Sequence, residues 1–146
     1  MNPRRALPLT LIALLAACSG PTLDKTLPLA DGTFEATSAP DEEGATGHIT
    51  VTVESGRVVA ATFAVIGQDG QPKDDTYGLD SQGNIANQDY YDQAQRAVEA
   101  FPVYSRQLVE VGYPQDVDSI SGATWAHDQF VEAATAALRQ SQEAAS

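Results

Sequence analysis

The sequence has little cysteine, little histidine and few cationic residues, and each shortage excludes a class of protein. One cysteine cannot form a disulfide within the chain. That cysteine and two histidines are too few ligands for a usual structural zinc site. Eight Lys and Arg stand against 20 Asp and Glu, which gives a formal net charge of −12. Because binding to nucleic acid needs clustered cations, this balance argues against a nucleic-acid partner.

The apolar run near the amino terminus is too short to span a membrane. It covers residues 7–17, whereas a spanning helix needs about 20 apolar residues. The run follows Arg4 and Arg5 and leads to residues 15–18, Leu-Ala-Ala-Cys. A short basic region followed by an apolar run of this length is typical of a secretory signal peptide.

Cys18 stands where such a signal should be cleaved. The small residues before it resemble a bacterial lipobox, in which the cysteine is acylated and becomes the first residue of the mature protein. The resemblance implies a signal peptide over residues 1–17. It also implies a lipid anchor on the extracytoplasmic side of a membrane in the bacterial cell envelope. A plain signal peptide with an incidental cysteine is the alternative.

The rest of the chain is long enough for one domain, and its 42% hydrophobic content allows a packed core. Residues 18–30 contain two prolines and no clear periodicity, which predicts a lipid-anchored tether. Whether Leu27 and Leu29 pack on the domain stays open. We predict the folded domain over residues 31–140 and a frayed tail over residues 141–146.

Three segments have the pattern of β-strands. Residues 32–38 and 48–53 alternate polar and apolar side chains, and residues 57–66 are apolar and rich in β-branched side chains. Tight-turn residues separate the last two segments, so the three predict an antiparallel meander. The polar stretch over residues 67–87 has no such pattern. A loop this long is often functional, although a solvated insertion is the commoner case.

Helical spacing of apolar residues follows. It predicts helices over residues 89–101, with Asp89 as a cap, and over residues 102–111, with Pro102 between them because proline breaks or starts a helix. A third helix is predicted over residues 124–140. Three strands followed by helices predict a small α+β domain, with the helices packed on one face of an antiparallel sheet.

The loop before the last predicted helix carries the residues that are best suited to bind a ligand. Either Ser121 or Thr124 can cap the helix, and Gly122 permits a tight backbone and the close approach of a ligand. The free amides at a helix start also favour an anion. An ordinary helix cap is the alternative.

This loop resembles the flavinylation motif of FMN-binding domains. Those domains occur in subunits of the sodium-pumping NADH:quinone reductase and the related Rnf complex, and in membrane-anchored lipoproteins of extracytoplasmic electron transfer. The motif is Asp, two variable residues, Ser or Thr, Gly, Ala, then Thr or Ser. The sequence matches all five defined positions: Asp118, Ser121, Gly122, Ala123 and Thr124.

The resemblance extends over residues 30–138. The opening at residues 31–34, the turn at residues 54–58 and the helical segment at residues 101–108 are also similar to the family. One departure is Trp125, because many relatives carry a small or hydroxyl residue directly after the motif.

In the family, the last hydroxyl of the motif forms a phosphoester with FMN, which a separate flavin transferase installs from FAD. The resemblance therefore implies that Thr124 carries FMN and that the amides after Gly122 face the phosphate. Ser121 would bond the phosphate or cap the helix, and Asp118 would be recognised by the transferase or hold the loop. Trp125 would stack on the isoalloxazine or belong to the core. Further candidates to wall the ring are the five tyrosines, Tyr77, Tyr90, Tyr91, Tyr104 and Tyr113.

These implications favour a membrane-anchored flavoprotein that relays electrons, rather than an enzyme with its own substrate. Its partners would be the flavin transferase, the membrane, and membrane or extracytoplasmic redox proteins. The acidic surroundings of the flavin would lower its reduction potential. The alternative is a binding or structural lipoprotein of the same fold without flavin, such as a surface antigen. A hydrolase is disfavoured because the sequence shows no nucleophile elbow and no Ser/His/Asp spacing.

Overall fold

The computed structural model describes residues 22–146. The predicted signal peptide and the lipobox cysteine lie outside the described residues. The described part contains three strands, two long helices and a short 3₁₀ turn. Within it, no helix has the length and apolar character needed to cross a membrane.

The strands form one antiparallel sheet in the order β1–β2–β3. They are β1 (Gly32–Thr37), β2 (Thr46–Glu54) and β3 (Arg57–Ile66). Ser55 and Gly56 connect β2 to β3 with positive φ angles of 51° and 72°, which suits the right-handed twist of a two-residue hairpin. The predicted meander is confirmed, with bounds close to those expected.

One face of the sheet is buried because apolar and polar side chains alternate along the strands. In β2, Ile49, Val51 and Val53 are buried, whereas His48 on the other face is exposed. Both helices pack on the buried face, with α1 (Gln88–Val111) against β3 and α2 (Thr124–Ala145) against β1 and β2. The α+β prediction is therefore confirmed.

The prediction of two helices separated at Pro102 is wrong, because α1 is continuous and contains Pro102. A proline inside a helix costs about 3 kcal/mol or more through a lost hydrogen bond and a steric clash. Here the proline ring lies on the exposed side of the helix. The opposite side stays packed before and after it, and this packing outweighs the cost. The buried residues of that side are Ala94, Ala97, Ala100, Phe101, Tyr104, Ser105 and Leu108.

The ends of α1 follow ordinary capping chemistry. Asn87, not Asp89 as expected, is the N-cap, and its side-chain oxygen accepts a hydrogen bond from the Tyr90 amide. Gly112 ends the helix in the left-handed conformation, and its amide donates to the Leu108 carbonyl. The observed cap therefore lies two residues earlier in the chain than the expected cap, and the helix begins at Gln88.

The second helix runs beyond the end expected near Gln140, because its last turns pack against residues 22–30. The Ser141 hydroxyl donates to the Ala30 carbonyl at 2.8 Å, and the Gln142 side-chain amide donates to the Asp24 carbonyl at 2.6 Å. Leu23 is buried and Leu29 packs against the core, whereas Leu27 is about half exposed. Part of the segment predicted as a tether thus packs on the domain.

Candidate functional site

The motif loop, which we define as residues 118–124, ends in the first residue of α2. Gly122 has a φ of +84°, a left-handed conformation that favours glycine. The N-cap is Ala123, whose side chain cannot accept a hydrogen bond, so the expectation that Ser121 or Thr124 caps the helix is wrong. The reason is register, because Thr124 is already helical and Ser121 lies two residues before the cap. Both hydroxyl-bearing residues are exposed.

The start of α2 is therefore an open anion site. The first hydrogen bond of the helix runs from the His127 amide to the Ala123 carbonyl at 3.0 Å. The amides of residues 124–126 precede that bond and have no carbonyl partner within the helix. Since no side chain caps this end, these donors and the positive end of the helix dipole are available to a negatively charged group.

Tyr104 of α1 holds the motif loop from inside the core. Its hydroxyl donates to the Ala123 carbonyl at 3.1 Å and accepts from the Ile120 amide at 3.1 Å. The side chain is fully buried, and burial raises the pKa of its hydroxyl despite the opposing hydrogen bond from Ile120. The hydroxyl therefore stays protonated at neutral pH and can serve both bonds. Tyr104 is a core residue and does not line the cavity described below, contrary to its place among the candidate ring walls.

Two further bonds fix the beginning of the loop. The Asp118 amide donates to the Gln107 side-chain oxygen at 2.8 Å, so α1 also holds this end. The His127 ring nitrogen lies 2.7 Å from the Val117 carbonyl. The Asp118 side chain itself is exposed. The loop is thus anchored through its backbone, while the side chains of its motif residues other than Ala123 remain accessible.

Arg96 lies beside the loop, which the sequence did not indicate. A Cβ atom placed on Gly122 would meet Arg96 Nε at 3.6 Å. The guanidinium of α1 therefore stands against the glycine of the motif, close to the start of α2. A guanidinium next to free helix amides is a favourable environment for a phosphate group.

A cavity of about 350 Å³ adjoins this point. Gln93 and Ala94 of α1 line it, within one turn of Arg96, and Trp125 lines it next to Thr124 in the chain. Tyr77 and Tyr90 form further walls, with ring centroids 6.4 Å apart. The remaining lining residues are Lys73 and the acidic residues Asp41, Glu42 and Glu43.

Trp125 belongs to both the cavity and the core edge. Its ring packs edge-on against Phe101, with centroids 6.3 Å apart and an interplanar angle of 84°. The residue is only half-buried, so part of the ring faces the cavity. The two interpretations of Trp125, stacking surface or core residue, are therefore compatible.

Among the other aromatic candidates, the structure separates those near the cavity from those away from it. Tyr90 lines the cavity, whereas Tyr91 does not. The Tyr91 hydroxyl instead donates a hydrogen bond to the Asp75 carbonyl. Tyr113 lies at another surface, where Lys25 stands over its ring. Only Tyr77 and Tyr90 of the five tyrosines line the cavity.

Lys73 forms a buried cation in the cavity wall. Its Nζ lies 4.3 Å from the Tyr77 ring centroid and 4.7 Å from that of Trp125, and it donates to the Tyr77 hydroxyl at 3.0 Å. The Glu43 carboxylate lies 3.3 Å away. Burial lowers the pKa of Lys73, but the bonds and charges of Tyr77 and Glu43 outweigh it, so the pKa lies above its usual value. The ammonium group is charged at neutral pH.

The acidic edge of the cavity is shaped by Asp41. Its carboxylate accepts hydrogen bonds from the amides of Glu43 and Ala45, both at 2.9 Å, which holds the turn before β2. Across residues 22–146, no group of three or more His, Cys, Asp or Glu side chains is arranged to hold a metal ion. This edge is therefore a charged rim of the cavity.

The sequence model of the FMN-binding domain family matches residues 44–139, which is more than half of the chain. The chain belongs to the FMN-binding domain family. FMN is accordingly its cofactor. The match includes the motif loop, all of α1 and the cavity residues Lys73 and Tyr77.

Two solved structures are similar to this FMN-binding domain to different degrees. The crystal structure of a protein from Clostridium perfringens is similar with a TM-score of 0.62 and 22% identity, over 80% of this chain and 91% of that one. A solution NMR structure of a protein from Clostridium thermocellum has a TM-score of 0.43 and 26% identity, over 75% and 90% of the two chains. No curated protein matches the chain. The Clostridium perfringens structure supports the assigned fold.

The residues at the site fit FMN. The cavity volume lies within the range of about 300–1,000 Å³ that is usual for small-molecule sites, and aromatic side chains supply most of its apolar wall. The start of α2 and Arg96 supply donors for a phosphate at the adjoining edge. Space beside Gly122 is kept open because this residue has no side chain. The aromatic cavity matches the flavin ring of FMN, and the adjoining anion site beside Arg96 matches its phosphate.

Removing the Tyr104 hydroxyl tests how the motif loop is held. We expect Tyr104→Phe to lower the free energy of unfolding by about 1–3 kcal/mol, because it leaves the Ile120 amide and the Ala123 carbonyl without their buried partner. Urea unfolding measures this loss, with Tyr113→Phe as the matched control at an exposed hydroxyl. Equal unfolding midpoints for the two variants would contradict the role given to Tyr104.

Proposed function

We propose that the protein carries FMN as a phosphoester on the Thr124 hydroxyl and relays electrons outside the cytoplasmic membrane. The observation that carries the proposal is the position of Thr124. It is exposed, it ends a complete flavinylation motif, and it is the first residue of α2. It follows Gly122, beside which Arg96 lies, by two residues, and it directly precedes Trp125, which lines the aromatic cavity. No other hydroxyl of the motif has the cavity-lining Trp125 as its direct neighbour.

A covalent bond would give the site a stable hold on the cofactor. A helix dipole contributes about 0.3–1 kcal/mol to a nearby anion and up to about 2 kcal/mol in favourable cases. Micromolar binding needs about 8 kcal/mol. The cavity is partly open, so it encloses a ligand only in part. A phosphoester on Thr124 would keep the cofactor in place without requiring a closed pocket.

The attachment reaction balances with FAD as the donor. The Thr124 oxygen would replace AMP at the flavin-bearing phosphorus, AMP would leave, and the hydroxyl proton would be released. A threonine hydroxyl is a weak nucleophile, so a separate flavin transferase would activate it. The exposed side chains of Asp118 and Ser121 are accessible to such an enzyme. The backbone bonds from Tyr104 and Gln107 would present the loop in one conformation.

FMN, when bound, supplies one-electron and two-electron redox chemistry, and the protein supplies position and electrostatics. The amides at the start of α2 and the Arg96 guanidinium would hold the phosphate. Trp125, Tyr77 and Tyr90 would orient the ring and exclude water from its faces. This division of labour fits an electron carrier, in which the cofactor stays in one place and partner proteins come to it.

The lipobox motivates the proposed location. Acylation of Cys18 would hold the domain at the extracytoplasmic side of a bacterial membrane, where membrane and extracytoplasmic redox proteins would exchange electrons with it. The domain is strongly acidic and is repelled by anionic lipid headgroups. Retention at the membrane would therefore depend on the lipid.

Visible circular dichroism tests whether the flavin ring lies in the aromatic cavity. We expect full-length protein labelled by a flavin transferase to show ellipticity in the flavin bands, since the ring is held against asymmetric neighbours. Unfolding should abolish the signal although FMN stays attached. Tyr77→Ala should lose most of the signal, whereas Tyr113→Ala, away from the cavity, should keep it. Equal signals in the two labelled variants would place the ring elsewhere.

A further inference from the structure

Lys73 is a cation in the wall of the aromatic cavity, and the proposed function gives it no role. It comes from the polar segment between β3 and α1, and its side chain is only 8% exposed. Its surroundings make it unusual, because the chain as a whole has a net charge of −12 and the same cavity is lined by Asp41, Glu42 and Glu43. Burying an ammonium group costs free energy unless the group is paired and hydrogen-bonded.

The structure holds this ammonium group in one place. A lysine side chain loses up to about 2 kcal/mol of conformational entropy when it is fixed. Here Nζ donates to the Tyr77 hydroxyl and stands over the rings of Tyr77 and Trp125, at 4.3 Å and 4.7 Å from their centroids. Both rings also line the cavity. The charge is therefore directed at the space between the aromatic walls.

Glu43 compensates Lys73 only in part. Its carboxylate lies 3.3 Å from Nζ, but its side chain is 69% exposed. Water screens an exposed carboxylate much more than a buried ammonium group. Glu43 therefore neutralises the charge of Lys73 less than a buried carboxylate would.

We propose that Lys73 raises the reduction potential of FMN by stabilising the negative charge that the ring gains on reduction. Two electrons from a redox partner and one proton convert the neutral oxidised ring into an anionic reduced ring. A cation at short range favours the anionic product. The inference rests on the proposed position of the ring in the aromatic cavity.

The acidic composition of the domain predicts a lowered potential, and Lys73 acts against that effect. Asp41, Glu42 and Glu43 line the same cavity and act to lower the potential, whereas acidic side chains farther away are screened by water beyond about one Debye length. Lys73 acts at the cavity wall. Its side chain is far less exposed than that of Glu43, so water screens its charge less.

Two substitutions at the same ion pair should move the potential in opposite directions. Lys73→Met keeps the length and apolar character of the side chain but removes its charge. We expect it to lower the equilibrium constant for two-electron reduction about tenfold, which corresponds to about 30 mV. Glu43→Gln leaves Lys73 uncompensated and should shift the potential upward by a smaller amount. A purely structural role of either residue would not produce opposite signs.

The experiment is a redox titration of the labelled full chain, with dithionite as the reductant and intact mass confirming FMN on each variant. Lys25→Met is the matched control, because it removes the same charge at a distant salt bridge with Asp116. The inference predicts a decrease for Lys73→Met, an increase for Glu43→Gln and no comparable shift for Lys25→Met. Equal shifts for the two lysine variants would overturn it, as would a shift of Glu43→Gln in the same direction as Lys73→Met.

A second measurement separates this inference from the covalent attachment. If intact mass shows no FMN on the wild-type chain, the phosphoester proposal fails. Lys73 is then tested by the dissociation constants of free oxidised and free reduced FMN, measured by equilibrium dialysis under anaerobic conditions. Lys73→Met should weaken binding of the reduced form about tenfold relative to the oxidised form. An unchanged ratio, or binding of neither form, would overturn the inference.

Discussion

Thr124→Ala is expected to abolish covalent FMN completely while leaving the domain folded. The substitution removes the only oxygen that the proposed phosphoester can use. It costs little stability because Thr124 is exposed and does not cap α2. A cap residue would have cost about 0.5–2 kcal/mol, whereas an exposed substitution of this kind changes the free energy of unfolding by about 0.5 kcal/mol or less. Flavin fluorescence of the denatured protein on a gel measures the loss.

Two controls make this result specific to one oxygen. Thr124→Ser keeps a hydroxyl at the same position and should retain FMN. Ser121→Ala removes the other hydroxyl of the motif, which would bond the phosphate, and should lower the yield of FMN without abolishing it. FMN remaining on Thr124→Ala but absent from Ser121→Ala would move the attachment point to Ser121.

Cys18→Ser is expected to move the protein from the membrane fraction to the soluble fraction, or to leave the precursor uncleaved. A serine hydroxyl cannot replace the thiol that the proposed lipidation requires. Each buried CH₂ of an acyl chain contributes about 0.8 kcal/mol, so losing two or more chains removes nearly all membrane affinity. The acidic domain has no compensating attraction to anionic lipid.

Fractionation of cells followed by immunodetection measures this change. Ser19→Ala, the adjacent substitution, keeps the thiol and should stay with the membrane. A Cys18→Ser protein that is correctly cleaved and still bound to the membrane would show that the lipoprotein assignment is wrong.

The sheet could be predicted from the sequence because its signal is local. Ile49, Val51 and Val53 alternate with polar residues, and this alternation is visible wherever one face of a strand is buried. The continuous α1 could not be predicted, because the rule that proline ends a helix ignores the packing on both sides of Pro102. Likewise, the length of α2 depends on Ser141 and Gln142 contacting residues 22–30, a contact between the two ends of the chain.

Some residues of the candidate site could likewise be predicted from the sequence, and others could not. The motif loop is contiguous, so its five defined residues could be recognised in the sequence. Lys73 and Arg96 could not, because the fold alone brings the β3–α1 segment and α1 to the start of α2. For Tyr104, the sequence contains one feature that could have indicated its hydrogen bonds to the motif loop. It is a hydroxyl-bearing aromatic residue on an apolar helix face, and such a buried hydroxyl needs a hydrogen-bond partner.

The central claim is that FMN is bonded to Thr124, and intact mass spectrometry tests it most directly. The full chain is produced with and without a flavin transferase, and each product is weighed after denaturation. The account predicts that only the protein made with the transferase gains the mass of one FMN less one water, with the addition mapped to the peptide that contains Thr124. A folded protein that gains no such mass, or that gains it on a peptide without Thr124, would contradict the account.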